Sequence, residues 1–284
     1  MKKIFALLMI FALMIMTGCG GSSGDTPKKS DADGEVKLGT LKHLNVTETL
    51  LDNYFKQASA RMSKTAGMYA PKHVFFDNMT SMLAALQSGQ IDAISTYDSV
   101  ARYLLAQNAD LETVKDRVPK VSDAFCCAML QDNDALKKEF DDAILKITAD
   151  GTLKQLVKTY VTDADFNALP AVEMPTFDGA PTIKVAVTGD LPPLDFVTAD
   201  GKPAGFNTAM LAEVSKIIGK NFELVQIDSG ARAAALASKE VDVVFWVAVP
   251  LNDTLAPPDC DKPEGVILTE SYFTDEIAHV ALKK

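Results

Sequence analysis

From residue 36 onward, short apolar and β-branched runs alternate with stretches in which apolar residues recur every three or four positions. The first pattern marks strands and the second amphipathic helices, so their alternation predicts α/β layers with mostly parallel sheets. Val36–Leu44 reads as a strand. Asn45 follows as a helix N-cap with Glu48 as its capping-box partner, and Leu50, Leu51, Tyr54, Phe55 and Ala58 share one helical face. His73–Phe76 is a second strand, Thr80–Ser88 a helix stopped by Gly89, and Ile91–Ser95 a third strand. After Val100–Gln107 and a polar loop comes the apolar strand Ala124–Leu130. Helices Asp134–Ala149 and Thr152–Val161 follow, and the first carries Leu136, Phe140, Ile144 and Ile147 on one side.

Residues 163–181 hold three prolines and little periodicity, which predicts a linker. The alternation then starts afresh. Strand Ile183–Val187 leads to helix Phe206–Ile218, closed by Gly219. Strand Phe222–Ile227, helix Ala231–Ser238 and strand Val241–Val247 come next. A Pro/Asp-rich loop at 250–265 precedes a last strand, Glu276–Leu282. TIKVAVTGDLPPLDF (182–196) looks like the opening of an α/β domain, yet it lies nearly two-thirds along the chain. SMLAALQSGQIDAIS (81–95) and ARAAALASKEVDVVF (231–245) share a helix, a polar turn, an aspartate and an apolar strand. Two homologous lobes would give this repeat, and so would any two βαβ units.

The first residues behave differently. Lys2 and Lys3 precede the unbroken apolar run Ile4–Met16, the pattern of a secretory signal over residues 1–18. Met16-Thr17-Gly18-Cys19 resembles a bacterial lipobox, which implies cleavage before Cys19, lipidation of its thiol and a membrane tether. Residues 19–35 are rich in Gly, Ser, Asp and Lys, as expected of a flexible stalk. Removing residues 1–18 takes away two lysines and no acid, which carries the formal charge from −10 to −12. Such acidity argues against a nucleic-acid partner. Cys126, Cys127 and Cys260 show no metal-binding spacing; a bridge from Cys260 to one of the pair and buried free thiols are both open.

LQSGQIDAISTYDSVARYL resembles the second lobe of the amino-acid-binding group of extracytoplasmic solute-binding proteins of ABC importers. NDALKKEFDDAILKITADGTLKQLVKTYV is similar to that family's closing helices. TIKVAVTGDLPPLDFVTADGKPAGFNTAMLAEVSKIIG resembles its opening, and LASKEVDVVFW and LTESYFTDEIAHVALK continue that lobe. The resemblance covers most of residues 36–284 and implies a type II two-lobed periplasmic-binding-protein-like fold with a cleft between lobes. The order is changed. Residues 36–118 correspond to the second lobe, 119–162 to the return strand and closing helices, and 182–284 to the opening lobe, with 163–181 joining the old termini. This order suggests a circular permutation, tolerable where the old ends lie close together. Val36 and Lys284 are then expected near each other, at the hinge.

The resemblance also assigns a site. Asn45, Val46 and Thr47 fall where the family receives a ligand carboxylate at a helix start, or Asn45 simply caps that helix. Tyr97 and Asp98 fall where an acid holds the ligand ammonium, and which of them faces inward is open. Asp190, Leu191 and Leu194 follow the opening strand, with the leucines in place of the family's aromatics. Trp246, the single tryptophan, is either an apolar wall or core. The arginine that clamps a carboxylate is missing at 251–254, where Leu-Asn-Asp-Thr stands; Arg232 is its candidate substitute or a solvated surface residue. His43 near the end of the first strand has no second ligand close in sequence, so no metal is expected.

These residues imply a membrane-anchored lipoprotein that binds an amino-acid-like small molecule without a cofactor. It would act as a monomer and deliver its ligand to an ABC permease. No nucleophile elbow, zinc-protease helix or phosphate loop is present. Two alternatives are a lyase or dehydratase on the same fold, working through Asp98, Asp190 and His43, and a tethered sensory module.

Overall fold

The computed structural model describes residues 36–62, 71–114, 121–251 and 256–283. The signal, Cys19, the stalk and the missing-arginine positions 252–254 lie outside the described residues.

The first half of the chain supplies β1 (Lys37–Leu41), α1 (Glu48–Met62), β2 (Lys72–Phe76), α2 (Met79–Gln87), β3 (Ala93–Tyr97), α3 (Asp98–Gln107) and β4 (Leu111–Thr113). β1 pairs in parallel with β2 and β3, as βαβ units with apolar strands require. β5 (Ser122–Leu130) then leads to α4 (Asp134–Ala149) and α5 (Thr152–Val157), which continues as a π-helical turn to Thr162. The last part comprises β6 (Thr182–Val187), the hairpin strands β7 (Asp190–Leu191) and β8 (Asp195–Val197), β9 (Pro203–Ala204) and α6 (Phe206–Ile218). It continues with β10 (Asn221–Gln226), α7 (Arg232–Ala237), β11 (Val243–Pro250), β12 (Val266–Leu268) and β13 (Phe273–Leu282). The helix limits of α4 and α6 coincide with the periodicity. Gly89 and Gly219 take φ of +73° and +67° at helix ends, where a side chain would be strained.

The main sheet runs β10-β6-β11-β5-β13-β3-β1-β2, and one strand joins its two halves. β13 pairs antiparallel with β5 through Phe273–Glu276, then with β3 through Ile277–Val280. The fold is therefore two-lobed α/β, with the crossing at Glu276–Ile277. α4 packs against the β10-side half, where Phe140 stacks on Phe222 at 5.5 Å between ring centroids. Residues 163–181 are held rather than loose: Asn221 bonds the backbone of Phe177 in both directions and the carbonyl of Ala180.

Gly39, Ile94 and Val280 stand in one row across β1, β3 and β13. The start of β1 and the end of β13 consequently lie two strand spacings apart, roughly 10 Å. That row is at the far end of the sheet from the crossing. The expectation of a hinge position is therefore corrected for Val36, because β1 starts and β13 stops toward the end of β3 away from the crossing; Lys284 lies outside the described residues.

Candidate functional site

A cavity of about 410 Å³ opens between the halves, beside the crossing strands. β1 brings Thr40 and the turn after it His43, α1 brings Tyr54 and Phe55, the end of β3 brings Tyr97 and the start of α3 brings Asp98. From the other half come Asp123 on β5, Trp246 and Ala248 on β11, and Cys260 with Asp261 from the loop after it. All three histidines of the chain line it.

Tyr97 closes over the cavity floor, 7% exposed, and its hydroxyl donates to Asp123 Oδ2 at 2.9 Å. Its ring meets Phe125 edge-on at 4.6 Å and Trp246 at 5.9 Å. Burial raises the Asp123 carboxyl above the usual range, against the lowering effect of the Tyr97 hydroxyl and of His43. Asp98 also lines the cavity, at the first turn of α3, with Oδ2 3.0 Å from Arg102 Nε. The question of Tyr97 against Asp98 thus has a double answer, since the strand ends there and the helix turns the next residue back to the rim.

Trp246 sits in the left-handed region with φ +57°, at the irregularity where β11 and β5 lose register between Val244 and Val247. Such strain in a bulky residue persists only where neighbours over-determine it. Arg232 supplies that constraint. It is 2% exposed, Nη1 donates to the carbonyls of Phe245 and Trp246 at 3.2 and 2.9 Å, and its guanidinium lies 4.9 Å from the Trp246 ring centroid. The surface reading of Arg232 is corrected. Against the carboxylate-clamp reading, its Nε and Nη1 already donate to the Ser229, Phe245 and Trp246 carbonyls, and Nη2 lies 3.5 Å from the Lys42 carbonyl.

The start of α1 carries a second correction. Thr47, not Asn45, caps the helix, its hydroxyl accepting from Leu50 N–H at 3.3 Å, while Glu48 accepts from Phe75 N–H at 3.0 Å. The free amides of Asn45 and Val46 donate across the cleft to Asp261 Oδ1 at 2.8 and 3.1 Å. Asp261 is 3% exposed, and His43 Nδ1 stands 3.6 Å from its other oxygen. Burial alone would raise the Asp261 carboxyl; His43 and the two amides outweigh it and hold it below the usual range.

Asp190 also reaches across to the opposite half, but burial raises its carboxyl above the usual range against the lowering effect of the Met79 and Thr80 amides. Its Oδ2 accepts from Met79 N–H at 2.7 Å and Thr80 N–H at 3.4 Å, capping α2 of the opposite half. Leu191 and Leu194 are fully buried in the core and do not line the cavity. The alternation of side chains explains it: with Asp190 turned to the other half, its neighbour Leu191 turns into the core. The three groups of the lyase alternative are therefore engaged, Asp98 with Arg102, Asp190 with α2 and His43 with Asp261.

Comparison with protein families finds a match within the segment from β6 to β11. Residues 183–248 match bacterial extracellular solute-binding proteins, family 3. No curated protein matches the chain. Among solved structures, it is similar to the ligand-binding component of an ABC-type import system from Staphylococcus aureus with zinc bound, at 11% identity and TM-score 0.43, covering 87% of this chain and 65% of that one. The GluR0 ligand-binding core in complex with L-glutamate gives 11% and 0.38, with 89% and 87% covered. The oxidised form of OxyR gives 13% and 0.42, with 88% and 87% covered.

The matched segment contributes Asp190, Arg232 and Trp246 to the lobe interface. Sequence reading missed Asp123, Asp261, Tyr54, Phe55, His73 and His279 as cavity residues. Asp261 sits in an aperiodic loop, so no local pattern marks it. Tyr54 and Phe55 lie on the helical face already read as apolar, but what that face covers was not legible. Cys126, Cys127 and Cys260 are free thiols, the first two buried. Burial pushes the thiols of Cys126 and Cys260 up to about 11.

Proposed function

We propose that this chain is an extracytoplasmic solute-binding lipoprotein. It captures a small polar molecule, an amino acid or a related compound, between its lobes and presents it to an ABC permease. The observation that carries this reading is the cavity, which draws its walls from both halves and lies beside the strands that cross between them. A ligand touching both walls favours the closed form through its differential contacts, which is how binding drives hinge closure. The family match over residues 183–248 supports the same reading. The signal and Cys19 add the tether, and we read the protein as a monomer that performs no chemistry on its ligand.

The segment order we read as a circular permutation of that family. The one-row placement of the β1 start and the β13 end supports it.

Native mass spectrometry of protein purified from its own cells tests the function. The expected result is a small-molecule adduct that disappears on unfolding and refolding, and whose return raises the melting temperature. Absence of any adduct, together with no thermal shift across amino acids, amines and short peptides, would overturn the reading.

A further inference from the structure

We propose that the cleft takes an organic amine that carries no carboxylate. The inference rests on the solute-binding reading and narrows its ligand class.

The first line of argument is that the backbone amides at the two helix starts facing the opposite half, and the Arg232 guanidinium, are already engaged by the protein. The amides of Asn45 and Val46 donate to Asp261, which reaches them from the opposite half. The first amides of α2 donate to Asp190, again from the opposite half. The Arg232 guanidinium is buried against backbone carbonyls. Among the described residues lining the cavity there is no lysine or arginine. An incoming carboxylate would meet occupied donors and the Asp261 charge beside them, a like-charge contact in a poorly solvated place.

The second line is what the cavity offers instead. Asp123 is 5% exposed and forms no salt bridge among the described residues; Tyr97 donates to it. A buried carboxylate without a cation is costly, and a bound ammonium removes that cost. Asp98 lines the same cavity. Around these acids stand Tyr54, Phe55, Tyr97 and Trp246, whose rings suit the body of an aryl or alkyl amine and attract its charge. Trp246 is 7% exposed and its indole N–H has no partner among the described residues, leaving a donor for a neutral acceptor such as a hydroxyl. The site therefore combines one buried negative seat, an aromatic wall and closed anion positions. In this arrangement Asp261 stands where a ligand's own carboxylate would otherwise lie.

Matched pairs test this, because each differs by one carboxylate: tyramine against tyrosine, tryptamine against tryptophan, agmatine against arginine. Thermal shift and calorimetry on the full chain should find at least one amine bound tenfold or more tightly than its parent amino acid. Asp123→Asn should weaken that amine at least tenfold, and Asp261→Ala should narrow the gap between amine and amino acid by freeing the Asn45 and Val46 amides. If Asp123→Asn fails to fold, the wild-type pairs still decide. Amino acids binding as well as or better than their amines would overturn the inference and leave the solute-binding reading standing. No binding by any member of the three pairs would overturn the inference too, and the adduct experiment on cell-derived protein then decides the broader reading separately.

Discussion

Asp261 accepts a hydrogen bond from the backbone amide of Asn45 at 2.8 Å, although 216 positions separate them and they belong to different lobes. The contact closes the cleft from within. Asp190 on α2 and the Ser229 N–H on the Asp77 carbonyl at 2.8 Å do the same elsewhere along the interface. The lobes are thus held together by the chain's own groups, and opening must break these bonds.

Asp261→Ala is expected to loosen that closure. Charge-assisted bonds to a buried carboxylate contribute about 1.5–3 kcal/mol, so hydrogen exchange at Asn45 and Val46 should accelerate at least tenfold. Small-angle scattering should report a larger radius of gyration. Unchanged exchange at both amides would show that the contact does not hold the lobes.

Trp246 gives an inverted expectation for glycine. In an ordinary strand, glycine is less stable than alanine by roughly 0.5–1 kcal/mol. At φ +57° the order should reverse, because a left-handed backbone costs a residue with a Cβ about 1–2 kcal/mol. Both Trp246→Ala and Trp246→Gly lose the ring, a cost of about 3–5 kcal/mol. Urea titration should then place Trp246→Gly about 1 kcal/mol above Trp246→Ala. The opposite order would mean that this backbone is unstrained.

His73 sets an acid limb to stability. It is 2% exposed, and burial lowers its pKa to about 4, with His279 and His43 adding to the effect against Asp52. Between the ordinary value near 6.5 and about 4, the unfolded chain takes up a proton that the folded chain refuses. Stability should therefore fall as the pH drops through that window, by on the order of 3 kcal/mol. Urea unfolding from pH 7.5 down to 4.5 reads the slope. His73→Gln should flatten it; an equally steep slope in the variant would assign the effect to other groups.

The permutation has a direct test. A chain that starts at Pro181, runs to Lys283, and rejoins through a short Gly/Ser linker to Val36 should fold, because the joined ends are roughly 10 Å apart. Its far-ultraviolet circular dichroism should match the parent, and its melting temperature should lie within a few degrees. An insoluble or molten product would argue that the present order is required by the fold.

Much of the scaffold was legible in the sequence because it depends on local patterns. The 3.6-residue recurrence of Leu136, Phe140, Ile144 and Ile147 placed α4 to the residue, and Gly219 ended α6 where a left-handed residue was needed. Strand ends were less legible. β3 runs on to Tyr97 and β11 to Pro250, since pairing partners rather than propensity decide where a ladder stops.

The site was legible only in part. Tyr97, Asp98 and Trp246, singled out from their places after strands, line the cavity. Leu191, Leu194 and Arg232 were placed wrongly, because a one-residue change of face, or burial beneath a turn, leaves no trace in composition. By itself the sequence determined an α/β chain of alternating elements with a restart at residue 182, as periodicity and turn chemistry act over a few neighbours. Only the tertiary structure decided that Asp261 fills the Asn45 and Val46 amides, that Asp123 meets Tyr97, and that Arg232 braces Trp246. Those relationships join residues far apart in the chain, and their energy exists only once the lobes have folded against each other.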